Sequence, residues 1–219
     1  MIVAIDGPAG AGKSTVARRL AERLGFRYLD TGAMYRAVAL AALRAGATGD
    51  DPASVLRVAE AADIIVDGQR VLLNGEDVAE AIRSPEVTAV IHWAADNPSV
   101  RARLVELQRT SAAADGGIVC EGRDQGTVAF PDAGCKFFVT ASPEERARRR
   151  RDELHARGVD VSLDDVLADQ NERDRRDAAR PVGALRKAND AVEIMTDGLS
   201  VDAVVDKLEQ MVRDRLSGR

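Results

Sequence analysis

Aromatic residues make up only 3% of this sequence, cysteine and histidine occur twice each, and no apolar run is long enough to cross a bilayer. Each shortage excludes something. With so few rings there is no platform on which the bases of a single strand could stack, so nucleic-acid binding is not expected. Cys120 and Cys135 each sit in a short apolar run, with no C-x-x-C spacing and no nearby histidine, so both read as reduced, buried core residues. Met1-Ile-Val-Ala-Ile-Asp6 has no basic n-region and too short an apolar run for a signal peptide, so a cytoplasmic protein with no membrane contact is expected. Charge of one sign is also scarce. Although 31% of residues are charged, the formal net charge is −5, so no overall field draws the chain to a polyanion or a lipid surface. Any basic site must be local. The 219 residues, 45% of them apolar, suffice for one sizeable core with small attached parts, and the absence of a long apolar seam points to a monomer.

What is present alternates. Ile2-Val-Ala-Ile5 is a β-branched run, followed by a glycine-rich turn and by Val16, Leu20 and Leu24 at helical spacing. Similar runs recur at Ile118-Val-Cys120, Lys136-Phe-Phe-Val139 and Val192-Glu-Ile-Met195, separated by helical patterns. Strands alternating with helices imply a parallel sheet covered on both faces. The stretch between the first and second groups of strands is too long for a simple crossover. Within it, Ile64-Ile-Val66 and Val71-Leu-Leu73 flank Asp67-Gly-Gln-Arg70, a hairpin pattern that suggests an inserted domain with a small antiparallel element. Ser142-Pro-Glu-Glu145 combines an N-cap, a first-turn proline and a capping-box glutamate, and Ser162-Leu-Asp-Asp165 repeats the start after Gly158. Residues from about Ser142 to Arg180 therefore read as two arginine-rich helices, with few apolar anchors between Arg146 and Arg176. The last segment, with Val204, Val205, Leu208, Val212 and Leu216, is an amphipathic helix.

Gly7-Pro8-Ala9-Gly10-Ala11-Gly12-Lys13-Ser14 matches G-x-x-x-x-G-K-[ST] between a strand and a helix, the context that a phosphate-binding P-loop needs. The glycines let successive N–H groups turn around phosphate oxygens, Lys13 reaches the β- and γ-phosphates, and the Ser14 hydroxyl is placed for Mg²⁺. The same cradle serves kinases, ATPases and switches. No N-K-x-D segment appears, since Lys187-Ala-Asn-Asp190 has the order wrong, and Val119-Cys-Glu121 runs straight into Gly122-Arg-Asp124 instead of ending in an isolated acid. Both absences count against a switch or motor.

Leu29 is followed by Asp30-Thr-Gly-Ala-Met-Tyr-Arg36, which brings a hydroxyl, Thr31, and a guanidinium, Arg36, to the start of a helix. Such a pair can bind a phosphate monoester, although an N-cap threonine and a solvated arginine explain this fragment equally well. Gly122-Arg-Asp-Gln-Gly126 follows a strand at the edge where open α/β sheets bind ligands. In Glu172-Arg-Asp-Arg-Arg-Asp-Ala-Ala-Arg180, helical spacing puts Arg173, Arg176 and Arg180 on one face beside Asp177, either an anion clamp or a solvated face of ion pairs.

Taken together, IDGPAGAGKST at Ile5 to Thr15, LDTGAMYR at Leu29 to Arg36, EGRDQGTVAFPDA at Glu121 to Ala133 and ERDRRDAAR at Glu172 to Arg180 closely resemble the bacterial cytidylate kinase family over nearly the full length. The NGEDV and AIRSPEV segments and the hairpin near Ile64 belong to the same likeness. The resemblance implies an α/β P-loop nucleoside monophosphate kinase. Its five-stranded parallel sheet would be flanked by helices, with a core (1–33, 105–154, 181–219), a monophosphate-binding insert (34–104) and an arginine-rich lid (155–180). It implies that residues from Gly7 to Thr15 bind ATP with Mg²⁺, that Thr31, Arg36, Arg123 and Arg180 hold the phosphate of CMP or dCMP, and that Arg101 and Asp124 read cytosine. Arg173 and Asp177 would contact the sugar or bridge towards ATP, and Lys13, Arg123, Arg173 and Arg176 would serve the transfer. Cytosine offers an amino donor to a carboxylate and ring acceptors to an arginine, which suits that assignment. Where many members carry a serine against the base, this sequence carries His92, an imidazole able to accept from the amino group or to pack beside Trp93. A serine also stands at position 14, where a glycine is frequent.

Overall fold

The computed structural model describes residues 1–114, 116–156 and 158–218. The chain runs through β1 (Ile2–Asp6), α1 (Lys13–Leu24), β2 (Arg27–Asp30), α2 (Thr31–Arg44) and α3 (Pro52–Ala61). Strands β3 (Ile64–Asp67), β4 (Arg70–Leu73) and β5 (Glu76–Asp77) precede α4 (Pro85–Ala95), α5 (Pro98–Ala112) and β6 (Ile118–Gly122). The last third comprises β7 (Cys135–Thr140), α6 (Pro143–His155), α7 (Leu163–Ala179), β8 (Val192–Met195) and α8 (Val201–Leu216). No helix among the described residues is long and apolar enough to cross a membrane.

Five strands form one sheet in the order β2-β6-β1-β7-β8, parallel at every pairing. Side chains of a strand alternate between faces, and here both faces are buried. Val3, Ile5, Val119, Phe137, Val139 and Ile194 share one core with Val16 and Leu20 of α1 and Val204, Val205, Leu208 and Val212 of α8. Leu29, Ile118 and Cys120 point the other way, into a second core with α2, α3, α4 and α5. Leu216, expected on the buried face of α8, is exposed because the helix ends there. Cys120 is buried, whereas Cys135 opens β7 at the rim of the sheet and is only half-buried; neither is in a disulfide.

Local signals place the elements. Asp30, Ser84, Asn97, Ser142 and Ser162 each accept a backbone N–H of the first turn they precede, and proline follows the cap in α4, α5 and α6. The hairpin expected at 64–73 is present, turning at Gly68-Gln69, and β5 adds a third antiparallel strand. Strand β1 lies centrally, so the loops after β1, β2 and β6 all open on one edge of the sheet, at the carboxyl ends of its strands.

Candidate active site

The loop after β1 is pinned on three sides. Asp6 accepts from the N–H groups of Gln125 (2.8 Å) and Gly126 (2.7 Å), which ties β1 to the loop after β6; burial nonetheless pushes its carboxyl up to about 6. Gly7 lies so close to β7 that a Cβ there would run into the carbonyl of Val139. Gly12 has φ 85°, a left-handed conformation that lets the loop turn its amides inward ahead of α1. Within the loop, Lys13 Nζ donates to the Pro8 carbonyl at 2.7 Å and Ala9 accepts from Arg146 Nη1 at 3.1 Å. Ala11 is buried, Gly10 packs against Gln170 and Arg146, and Thr15 is half-buried in the first turn of α1. Burial, and then the neighbouring positive charge of Arg123, brings the Lys13 ammonium down to about 7, with Arg173 adding to the effect.

Ser14 Oγ donates to Glu121 Oε1 at 2.5 Å, and the Tyr28 hydroxyl donates to the same oxygen at 3.3 Å. Burial, then the charge of Glu121, raises the Asp30 carboxyl to about 6. Glu121 and the Ser14 hydroxyl, with Asp30 near enough for the two carboxyl charges to act on each other, offer hard oxygen donors of the kind that fits a divalent cation. No group of three or more His, Cys, Asp or Glu side chains among the described residues could hold a metal alone, so such an ion would depend on phosphate oxygens as well. Sequence reasoning missed Glu121, setting it aside because it runs into a charged turn. The available signal was position: it is the fourth residue of β6, directly across from Ile5 at the end of β1.

At the start of α2, Thr31 is buried and its hydroxyl donates to the Glu121 carbonyl at 2.6 Å; the N-cap of α2 is Asp30, not Thr31. Arg36 Nη1 donates to Ile82 O (3.1 Å) and Thr88 Oγ1 (2.9 Å), joining α2 to α4, and burial lowers its pKa. Asp177 accepts from Arg123 Nε at 2.8 Å and pairs with Arg180 Nη2 at 2.5 Å. Burial alone would raise its carboxyl, but the two guanidiniums outweigh that and hold it below the usual range. Arg173 is different. Among the described residues it has no ion pair, and burial followed by the like charge of Arg123 lowers it to about 10, with Asp177 opposing the shift and Arg36 and Arg180 adding to it.

Arg176 does not join this group. The structure leaves it exposed, because a step of three residues turns it about 60° away from Arg173 on a helix of 3.6 residues per turn. Arg180, expected on the same helical face, instead leaves α7 as its C-cap in extended conformation. Arg146, at the start of the stretch read as poor in apolar anchors, is 4% exposed and holds Asp174 of α7 at 2.6 Å.

Arg101 and Asp124 meet at 2.5 Å and are both buried. The Arg101 guanidinium carbon lies 5.1 Å from the centre of the Tyr35 ring, and its Nε is buried with no acceptor. That orphan donor beside a carboxylate is complementary to a planar group carrying both an acceptor and a donor. His92, on the last turns of α4, is half-buried with its ring edge-on to Trp93 at 6.2 Å, one helical turn before Asp96, which binds Arg180.

Residues 3–214 match the cytidylate kinase family. A cytidylate kinase of Rhodopirellula baltica is 51% identical over 214 residues, covering 98% of this chain and 93% of that protein. One of Geobacter sulfurreducens is 50% identical over 219 residues, covering 98% and 94%. Among solved structures, a shikimate kinase from Bacteroides thetaiotaomicron has a TM-score of 0.51 at 12% identity, over 97% of this chain and 98% of that one, a likeness of fold.

Proposed function

The chain belongs to the cytidylate kinase family and phosphorylates CMP and dCMP, and from that premise we propose that ATP is the donor and that its γ-phosphoryl group moves in line onto an oxygen of the acceptor phosphate. The observation that carries this reading is Arg173, a guanidinium with no ion pair among the described residues, which feels the charges of Arg123 and Arg36, only partly offset by Asp177, and in turn acts on the buried Lys13. So much positive charge in one place suits two phosphate groups facing each other.

In this reading, the amides from Gly7 to Thr15 cradle the donor phosphates and Lys13 meets their charge. Mg²⁺ bound with ATP would be held by the Ser14 hydroxyl with Glu121 and Asp30 behind it, and would supply neutralisation of the donor phosphate oxygens. Thr31, Arg36, Arg123 and Arg180 orient the acceptor phosphate, Arg101 and Asp124 read the base, and Arg173 with Asp177 lies between the two nucleotides. No general base is required, since a phosphate monoester with a second pKa of about 6 is already mostly dianionic at neutral pH. Positioning and electrostatics then dominate, consistent with a site rich in arginine. We assign residues 34–104 to the acceptor domain and 155–180 to a lid whose closure excludes water, in a monomeric, cytoplasmic enzyme.

The test is ADP release with MgATP and CMP, dCMP, UMP, AMP or GMP in turn. Turnover led by CMP and dCMP supports the assignment of Arg101 and Asp124; turnover led by another monophosphate discards it. A second expectation follows from Lys13, whose ammonium is lowered to about 7 by burial and the charge of Arg123. A bound polyphosphate favours its charged form, so ATP binding at pH 7.5–8 should take up a fraction of a proton. Calorimetry in two buffers of different ionisation enthalpy measures it, and proton release would contradict it.

A further inference from the structure

Arg180 is held from two directions. Its side chain is 9% exposed; Nε donates to Asp96 Oδ1 at 2.6 Å and Nη2 pairs with Asp177 Oδ1 at 2.5 Å. Asp177 belongs to α7, but Asp96 caps the C-terminus of α4, 84 residues earlier in the chain. A guanidinium carries five N–H groups in a fixed plane. With Nε donating to Asp96 and Nη2 paired with Asp177, the Nη1 end remains without a protein acceptor among the described residues, in the right form to grip two oxygens of one phosphate. Asp96 makes no other ion pair among the described residues, and its side chain is partly exposed. The mechanism above gives it no role.

We propose that Asp96 is a positioning residue for the acceptor phosphate. It fixes the plane of Arg180 so that the Nη1 end faces the phosphate, and it ties the end of α4 to the segment leaving α7, closing the acceptor side of the cleft. This rests on the reading that Arg180 holds the acceptor phosphate. The arrangement differs from a simple ion pair because the two carboxylates approach different nitrogens, which leaves the arginine no rotation about its own axis.

Steady-state kinetics of Asp96→Ala, Asp96→Asn, Arg180→Ala and the Asp96→Ala/Arg180→Ala double variant test it, with CMP and ATP varied separately and thermal midpoints recorded. Asp96→Ala should raise KM for CMP about tenfold, the loss expected for one charge-assisted hydrogen bond, while KM for ATP and kcat change little. Asp96→Asn keeps an acceptor oxygen for Nε and should recover most of that loss. In the double variant, Asp96→Ala should add nothing to Arg180→Ala. If Arg180→Ala raises KM for CMP and Asp96→Ala does not, the positioning role is wrong and the phosphate assignment stands. If Asp96→Ala depresses both substrates equally with a lowered midpoint, its role is structural and the proposal fails. If Arg180→Ala leaves CMP kinetics unchanged, the phosphate assignment fails and takes this inference with it.

Discussion

Lys13→Ala should lower kcat roughly 10²- to 10³-fold, the range typical of removing one preorganised charge from a site where negative charge develops. Lys13 is 5% exposed, and its ammonium is fixed on the Pro8 carbonyl inside the loop it serves. Alanine leaves that carbonyl without its donor and removes the one side-chain charge contributed by the loop itself. Arg123 and Arg173 remain close by, so part of the stabilisation survives and the loss should be incomplete. Lys13→Arg should not rescue, since the ammonium it replaces is a compact point charge in a buried position and a planar fork presents its donors in a different geometry. Coupled ADP release at saturating CMP and ATP measures kcat, and a loss smaller than tenfold would show that the arginines carry the charge without Lys13.

Asp124→Ala should cost about 3–5 kcal/mol of stability, because it strands the buried Arg101 guanidinium without its counter-charge. The environment cannot compensate easily. One face of that guanidinium meets Tyr35, Gly183 presses against it with no room for a Cβ, and its Nε already lacks an acceptor. Urea unfolding at neutral pH reads the loss. Under the proposed reading, Asp124→Asn, which keeps the shape and one acceptor oxygen, should fold better than the alanine variant but lose preference for cytosine in the monophosphate panel. Full cytosine preference in Asp124→Asn would mean that the carboxylate charge is a structural partner of Arg101 and not a reader of the base.

Much of this site was legible before folding because its parts are local. The P-loop needs a strand, a glycine-rich turn and a helix in immediate succession, and all three lie between Ile2 and Leu24. Ser142 with Glu145 and Ser162 with Asp165 announce helix starts through contacts spanning three residues. The errors came from extending local rules too far. Helical spacing grouped Arg176 with Arg173 and Arg180, but spacing does not say which side of a helix meets the protein or that the helix ends at Ala179.

The sequence by itself determined the alternation of strands and helices, the phosphate cradle, the caps and the inventory of arginines and acids, because hydrogen bonds and side-chain periodicities act within about four residues. Only the tertiary structure decided that Glu121 meets Ser14 across 107 positions, that Asp96 meets Arg180 across 84, and that Arg101 is buried against Asp124. Those pairings depend on the strand order β2-β6-β1-β7-β8, which brings the ends of distant strands to one edge, and on the packing of helices over both faces. That order is chosen by the burial of two whole cores, and no local stretch of sequence contains it.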